Sequence, residues 1–153
     1  MNWLAVDYGD ARTGLAGCDE GEILVTPLVP QIEEKSMNKV AAAAAERAAQ
    51  RGAQGLVCGL PKNMDGTEGP RAAKRRRFAQ RLANAAGLPV VLWDERRTTV
   101  SAAAILAEND TFGQKRKARL DSVSAAVLLE HFLDWRRSHP GETPPDIIQP
   151  QEV

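Results

Sequence analysis

The sequence has no run of 18 apolar residues, and its N-terminus has no basic flank, apolar segment and cleavage site in succession. We therefore expect neither membrane insertion nor secretion, and we predict a cytoplasmic protein. Cysteine is scarce, with only Cys18 and Cys58, which lie 40 residues apart and form no CxxC or His-containing cluster. This pattern argues against a zinc or redox site, so both thiols are expected to be reduced and mostly buried.

The chain also lacks net charge, because 20 basic residues balance 20 acidic ones. Any binding of nucleic acid must therefore come from local clusters of positive charge. With 153 residues, of which 43% are hydrophobic, the chain can form one core that buries about two-thirds of its unfolded surface. We predict one domain over residues 1–138 and a proline-rich tail over 139–153. The tail is either flexible or a strap docked by Ile147 and Ile148.

The first sixteen residues after Met1, NWLAVDYGDARTGLAG, predict a β-hairpin with an acid at its tip. The apolar run Trp3 to Val6 leads to Asp7, and Gly9 and Gly14 allow the chain to turn back. A carboxylate at the end of a strand is an accessible hard-oxygen ligand for Mg²⁺ or Mn²⁺, or a group that contacts phosphate. The alternative is an ordinary turn aspartate, since Asp before Gly is common in turns.

The rest of the chain alternates between helical and strand-like patterns, in the order β-β-β-α-β-α-β-α-α. The predicted elements are a three-strand meander ended by Pro27 and Pro30, a helix over 31–51 stopped by Gly52, a strand over 55–58, a helix over 71–86, a strand over 88–93, a helix after Thr98 or Thr99, a mobile cationic loop over 108–119 and a final helix from Leu120. Right-handed crossovers would place the first strand between its hairpin partner and the fourth strand.

A loop with the sequence GLPKNMDGTEGP, residues 59–70, follows the fourth strand directly. Ligands of α/β proteins bind at the carboxyl ends of strands, so its glycines and Lys62 could form a cradle for phosphate. The loop lacks the GKS or GKT ending of a P-loop, which argues against an NTPase of that type. An ordinary surface loop is the alternative.

The helix that follows carries six cations and no acid within eleven residues. They are Arg71, Lys74, Arg75, Arg76, Arg77 and Arg81. Solvated helix faces usually mix the two signs, so this face is a candidate for contact with a phosphate backbone. The alternative is a face that only increases solubility.

Three acids occur at positions that the predicted topology could bring together: Asp7 after the first strand, Glu95 after the last strand and Asp121 in the first turn of the final helix. Three close carboxylates repel one another unless cations neutralise them. Such clusters hold the ions of metal-assisted phosphodiester hydrolysis, in which two ions about 3.5 to 4 Å apart activate water and stabilise the leaving oxygen.

Five segments resemble the YqgF/RuvX family of bacterial Holliday-junction-resolvase-like proteins. They are VDYGDARTG (6–14), GLPKNMDGTEG (59–69), FAQRL (78–82), LPVVLWDERRTT (88–99) and DSVSAAVLLE (121–130). The resemblance covers about residues 3 to 135 and implies a ribonuclease H-like fold, α/β, with a mixed five-stranded sheet and helices on both faces. It also implies a Mg²⁺- or Mn²⁺-dependent nuclease whose acids fall on Asp7, Glu95 and Asp121. Lys62 and Arg97 stand where many relatives carry apolar residues.

The resulting hypothesis is a nuclease that hydrolyses phosphodiester bonds in structured RNA, as in the maturation of the small-subunit ribosomal RNA precursor, or in branched DNA. Asp7, Glu95 and Asp121 would be catalytic and hold the metal. The candidate nucleic-acid-binding residues are Arg12, Lys62, Asn63, Lys74, Arg77, Arg81, Arg96, Lys115, Arg116 and Lys117. A homodimer would match the two-fold symmetry of a four-way junction.

Two other classes of function remain open from the sequence. Asp7, Gly9 and Gly14 also resemble the phosphate-binding turn of the actin, sugar-kinase and Hsp70 superfamily, but 153 residues leave room for only one of the two lobes that clasp ATP. A protein that binds nucleic acid without cleaving it is the other class. Acids at a phosphate site argue against it, because they weaken binding unless metal is present.

Overall fold

The computed structural model describes residues 1–97 and 113–151, with the side chains of all of these except residue 97 and residues 113–121. Six strands form one sheet: β1 (Trp3–Asp7), β2 (Thr13–Cys18), β3 (Val25–Ile32), β4 (Gly55–Leu60), β5 (Val90–Asp94) and β6 (Ile147–Ile148). The described helices are α1 (Met37–Arg51), α2 (Pro70–Ala86), α3 (Gly113–Ser138) and a short 3₁₀ helix, Glu95–Arg97. The sheet therefore has six strands, one more than the five predicted.

The strand order is β3-β2-β1-β4-β5-β6, which places β1 in the interior of the sheet. β1 is antiparallel to β2, its hairpin partner, and parallel to β4, and β4 is parallel to β5. The sheet is therefore mixed, and the predicted position of β1 between its hairpin partner and the fourth strand is confirmed. This arrangement brings the carboxyl ends of β1, β4 and β5 to one edge of the sheet, where ligands of α/β proteins bind.

Helices cover both faces of the sheet, as predicted. Side chains of α1 and α2 join Leu4, Val6 and Leu56 in one hydrophobic core. Side chains of α3 join Trp3, Ala5 and other residues on the opposite face in a second core. Successive residues from Trp3 to Val6 belong to the two cores in turn, because side chains point to alternate faces along a strand.

Local sequence signals explain where α1 and α2 begin and end. The Ser36 hydroxyl accepts a hydrogen bond from the Lys39 amide at the start of α1, and Gly52 ends that helix with φ at 67°. Pro70 occupies the first turn of α2, where its missing N–H costs nothing, and Gly87 ends the helix with φ at 66°. The predicted stop at Gly52 is confirmed, whereas the predicted start of α1 at residue 31 is six residues too early.

Pro27 and Pro30 do not end the meander, and this prediction is wrong. Both residues lie inside β3, the edge strand next to β2. Proline is tolerated on an edge strand because its missing N–H need not join a ladder.

The helix α3 begins at Gly113, well before the predicted start at Leu120. Residues 113–119 are therefore helical, and the prediction of a mobile loop there is wrong. Asp121 lies about two turns inside α3 rather than in its first turn. The predicted helix after Thr98 or Thr99 and the first part of the predicted loop, residues 108–112, lie outside the described residues.

The segment after α3 returns to the sheet and adds β6 to the edge of β5. Ile148 is opposite Val90, Ile147 is opposite Val91, and the Leu92 amide donates to the Asp146 carbonyl oxygen at 2.9 Å. Ile147 and Ile148 pack against the two different cores, as alternation along a strand requires. These residues therefore dock the tail as a strap.

Cys18 and Cys58 are buried free thiols, as the sequence predicts. Burial raises the pKa of the Cys58 thiol to about 12, so this thiol stays protonated and unreactive at neutral pH. None of the helices within residues 1–97 and 113–151 is both long and apolar enough to span a membrane.

Candidate active site

Asp7 is the last residue of β1 and lies opposite Gly14 of β2. Its side chain is 25% exposed, so it is accessible from solvent at the edge of the sheet. The turn that follows needs a residue without a Cβ at Gly9, because a Cβ there would stand 2.3 Å from the Arg12 carbonyl oxygen. By alternation from Trp3 and Ala5, Asp7 belongs to the face of the sheet that α3 covers.

Glu95 follows β5 directly, and its carboxylate lies over the end of β4. A Cβ built on Gly59 would stand 2.3 Å from Glu95 Oε1 and 2.9 Å from its Cγ. The absence of a side chain at Gly59 therefore creates the space that this carboxylate occupies. Since β4 lies between β5 and β1, this space lets Glu95 approach Asp7 across the intervening strand.

The two acids meet at one guanidinium group, that of Arg75 from α2. Arg75 Nη1 lies 3.2 Å from Glu95 Oε1 and 3.9 Å from Asp7 Oδ1. From the sequence alone, Arg75 is only one of six cations on a helix face. Its contacts join residues 20 and 68 positions apart, and no local pattern in the sequence indicates them.

The third predicted acid, Asp121, lies outside the side chains that the structure describes. Its neighbour Ser122 is fully buried, and the Ser122 hydroxyl donates to the Leu28 carbonyl oxygen at 2.8 Å. Leu28 is opposite Leu15, which in turn is opposite Val6. This part of α3 therefore packs on the sheet near the level at which β1 reaches Asp7.

The donors that the structure describes at this edge suit a hard divalent cation. Two carboxylates converge on one positive charge, and Gly59 forms a cradle that a Cβ would fill. Carboxylate oxygens are the protein ligands that Mg²⁺ and Mn²⁺ prefer. The described side chains include no group of three His, Cys, Asp or Glu residues that could hold a metal ion. Within this part of the chain, the candidate ligands at the site are therefore two, Asp7 and Glu95.

Arg96 connects the end of β5 to the loop that follows β4. Its guanidinium donates to both carboxylate oxygens of Asp94, with Nη2 2.7 Å from Oδ2, and its Nη1 donates to the Met64 carbonyl oxygen at 3.1 Å. These hydrogen bonds from Arg96 lower the pKa of Asp94 from its ordinary value of 3.8. Arg96 was predicted to bind nucleic acid, and here it holds a loop at the rim of the site.

Most cations of α2 have anionic or polar partners from other elements. Lys74 Nζ lies 2.5 Å from Asp10 Oδ1, and Arg81 Nη1 donates to Asn38 Oδ1 at 2.8 Å. Arg76 forms ion pairs with Glu68 and Asp146. The remaining two cations on this helix, Arg71 and Arg77, are exposed. Acids outside α2 therefore balance three of its six cations, Lys74, Arg75 and Arg76.

The other predicted nucleic-acid-binding residues lie around the same edge. Arg12 and Lys62 are half-buried in the loops after β1 and β4. Asn63 is exposed and donates from its side chain to the Thr67 hydroxyl at 2.9 Å. Lys115, Arg116 and Lys117 belong to α3, but they lie outside the described side chains.

The fold and the pair of acids at the ends of β1 and β5 define an α/β protein of the ribonuclease H-like class. The structure of RuvC from Thermus thermophilus matches with a TM-score of 0.58 and 13% identity, over 90% of this chain and 97% of that one. A second structure, T. thermophilus RuvC in complex with a Holliday junction substrate, matches with a TM-score of 0.56 and 14% identity, over 90% and 96% of the two chains. At these identities the likeness concerns the fold alone, and it confirms the predicted ribonuclease H-like fold.

The chain belongs to the RuvX family, whose model, described as a Holliday junction resolvase, matches residues 1–135. A relative from Nocardioides sp., named as a candidate pre-16S rRNA nuclease, is 40% identical over 151 residues, which cover 95% of each chain. A relative of the same name from Symbiobacterium thermophilum is 38% identical over 138 residues, covering 90% of this chain and 95% of its own. The predicted family is confirmed, and these matches support the predicted class of activity, a nuclease.

Proposed function

We propose that this protein is a metal-dependent nuclease that hydrolyses phosphodiester bonds in structured RNA, branched DNA or both. The observation that carries the proposal is the convergence of Asp7 and Glu95, from strands that are not neighbours, on one site of positive charge. Membership of the RuvX family and the names of its relatives support the substrate classes. We infer a cytoplasmic location from the sequence.

In this proposal Asp7, Glu95 and Asp121 hold one or two Mg²⁺ or Mn²⁺ ions. The position of Asp7 and Glu95 and the packing of α3 near the end of β1 support the assignment. Bound divalent ions would supply an activated water nucleophile and charge stabilisation for the leaving oxygen. The chain's own part is to hold the three carboxylates at the place where the scissile phosphate binds.

The grip on nucleic acid is assigned to cations around the same edge of the sheet. Arg77 and Arg81 are exposed on α2, and Lys62 and Asn63 lie on the loop after β4. The Lys74 to Asp10 pair is solvent-exposed, so a phosphate can compete for Lys74. Arg12, Arg96 and the α3 cations 115–117 complete the proposed set. A homodimer that presents two such surfaces would match the symmetry of a four-way junction.

The test is cleavage of end-labelled RNA hairpins and four-way DNA junctions with Mn²⁺, using the wild type, Asp7→Asn and Asp134→Asn. Asp134 is an exposed acid on α3 and serves as a matched control for the loss of one carboxylate. We expect Asp7→Asn to lose at least a hundredfold in rate and Asp134→Asn to remain active. Equal cleavage rates for the wild type and Asp7→Asn would remove the catalytic assignment. If the protein instead binds these substrates without cleaving them, and a chelator does not change its affinity, a non-catalytic binding protein is favoured.

A further inference from the structure

Arg75 differs from the other cations of α2 in its burial and in the acids it contacts, which are the two at the ends of β1 and β5. Its side chain is 14% exposed, compared with 34% for Arg76 and 42% for Lys74. A single nitrogen, Nη1, contacts both Glu95 and Asp7. A solvated surface ion pair would not be shielded in this way, so these contacts belong to the site itself.

A buried aromatic pair supports the guanidinium of Arg75. Its Cζ lies 5.9 Å from the centroid of the Tyr8 ring, and Tyr8 stacks on Phe78 with ring centroids 4.2 Å apart and planes inclined by 10°. Tyr8 is 3% exposed and Phe78 is fully buried, so this support is part of the core. The aromatic contact favours a cation at this position independently of the acids.

The guanidinium and a divalent cation have the same electrostatic role toward Asp7 and Glu95. The guanidinium of Arg75 places a positive charge beside this pair. Carboxylate oxygens bind Mg²⁺ at about 2.1 Å, which is much closer than the 3.2 and 3.9 Å that separate them from Arg75 Nη1. An ion held by both carboxylates at that distance would lie close to the guanidinium, and the two positive charges would repel each other.

We propose that Arg75 is a built-in counter-ion of the Asp7 and Glu95 carboxylates that competes with the divalent cation and weakens its binding. This inference rests on the proposed function, because it assumes that these acids hold the metal. Arg75 is then a positioning residue, which keeps the two like charges together when no metal is bound. The positive charge of the guanidinium repels a divalent ion that binds to the same two carboxylates.

The test measures Mn²⁺ binding to the full chain without nucleic acid, by titration calorimetry and by the electron paramagnetic resonance signal of free Mn²⁺. The variants are Arg75→Met, which keeps the length of the side chain and removes its charge, and Arg75→Lys, which keeps the charge. Arg71→Met is the matched control, since Arg71 is exposed on the same helix one turn earlier. Circular dichroism and the Tm without metal establish that each variant folds.

We expect Arg75→Met to bind Mn²⁺ at least tenfold more tightly than the wild type and Arg71→Met to stay within about twofold, because Arg75, unlike Arg71, lies beside the carboxylates. The affinity of Arg75→Lys for Mn²⁺ is expected to be close to that of the wild type. The rise in Tm on adding Mn²⁺ should likewise be largest for Arg75→Met, since at a given concentration a ligand that binds the folded state more tightly stabilises it more.

The outcomes separate this inference from the proposed function. If the wild type binds Mn²⁺, Asp7→Asn abolishes that binding and Arg75→Met binds no more tightly than the wild type, the counter-ion role is overturned and the metal site stands. If neither the wild type nor Arg75→Met binds Mn²⁺, both proposals fail. A gain in affinity for Arg71→Met equal to that for Arg75→Met would also overturn the inference, because the effect would then be one of total charge.

Discussion

The Glu95 carboxylate occupies the space that a side chain at Gly59 would fill, with Oε1 2.3 Å from the position of a Cβ on that glycine. We therefore predict that Gly59→Ala displaces Glu95 and lowers the rate of cleavage at least tenfold. Glu95 is a flexible side chain that can rotate away, so the variant should still fold. The measurements are the cleavage rate with Mn²⁺ and the far-ultraviolet circular dichroism spectrum.

The control for this prediction is Gly21→Ala, at the turn before β3. A Cβ at Gly21 would lie 3.3 Å from Asp19 Oδ2, a contact that a small movement relieves. This variant should keep its activity because it lies away from Asp7 and Glu95. Wild-type cleavage by Gly59→Ala would contradict the importance of the glycine for placing Glu95.

Arg96 fastens the loop 61–67 through the Met64 carbonyl oxygen, and we predict that Arg96→Lys loosens this loop while keeping its positive charge. Lysine cannot reproduce the planar fork that reaches Asp94 and Met64 together. Amide hydrogen exchange should become at least severalfold faster at Gly66 and Thr67 and stay unchanged in β1. An unchanged exchange rate in the loop would mean that Arg96 does not hold it in solution.

Asp94 makes stability depend on pH, because its pKa is lowered in the folded protein by the hydrogen bonds from Arg96. The unfolded chain then binds the proton more tightly than the folded one. The stabilisation of the folded state that results is fully present above the ordinary pKa of 3.8 and is lost as pH falls through the lowered pKa. Its size is about 1 kcal/mol or less, as for other partly exposed ion pairs.

The measurement for Asp94 is the free energy of unfolding from urea titrations between pH 7 and pH 2. Asp94→Asn should show a smaller loss of stability over the acid range than the wild type. Glu34→Gln, the loss of one exposed acid elsewhere, is the control and should follow the wild-type profile. A profile for Asp94→Asn identical to that of the wild type would show that this pair does not contribute.

Ile147 fixes the tail to the sheet, and we predict that Ile147→Asp lowers the free energy of unfolding by about 1 to 3 kcal/mol. The substitution places a charge against the core beneath α3 and weakens the pairing of β6 with β5. Ile23→Asp is the matched control, because Ile23 is 81% exposed. Equal stability of the two variants in urea titrations would show that the docked tail is not needed for folding.

The elements that local chemistry defines could be predicted from the sequence. Gly52 stops α1 because it takes up a left-handed conformation that the helix end needs. The end of the meander at Pro27 and Pro30 was predicted wrongly, because whether a proline ends a strand depends on the position of that strand in the sheet. The start of α3 at Gly113 was missed since the residues after it, QKRKAR, form helices well but show no apolar periodicity.

The candidate site could be predicted in part. Asp7 and Glu95 each follow an apolar strand, and right-handed crossovers bring such strand ends to one edge. Arg75 and Gly59 were not assigned a role at these acids, because their importance depends on contacts with residues distant in the sequence. For Gly59 a signal existed, since this glycine directly follows the predicted strand over 55–58.

The two margins of the sheet leave little opportunity for another chain to add a strand. One margin is β6, a strand of only two residues, and the other is β3, in which Pro27 and Pro30 have no N–H to donate. Backbone pairing between copies, the usual route to fibrous aggregates of β-proteins, is thereby disfavoured at both margins. Within residues 1–97 and 113–151, the surfaces left for contact between copies are then side chains on helices and loops.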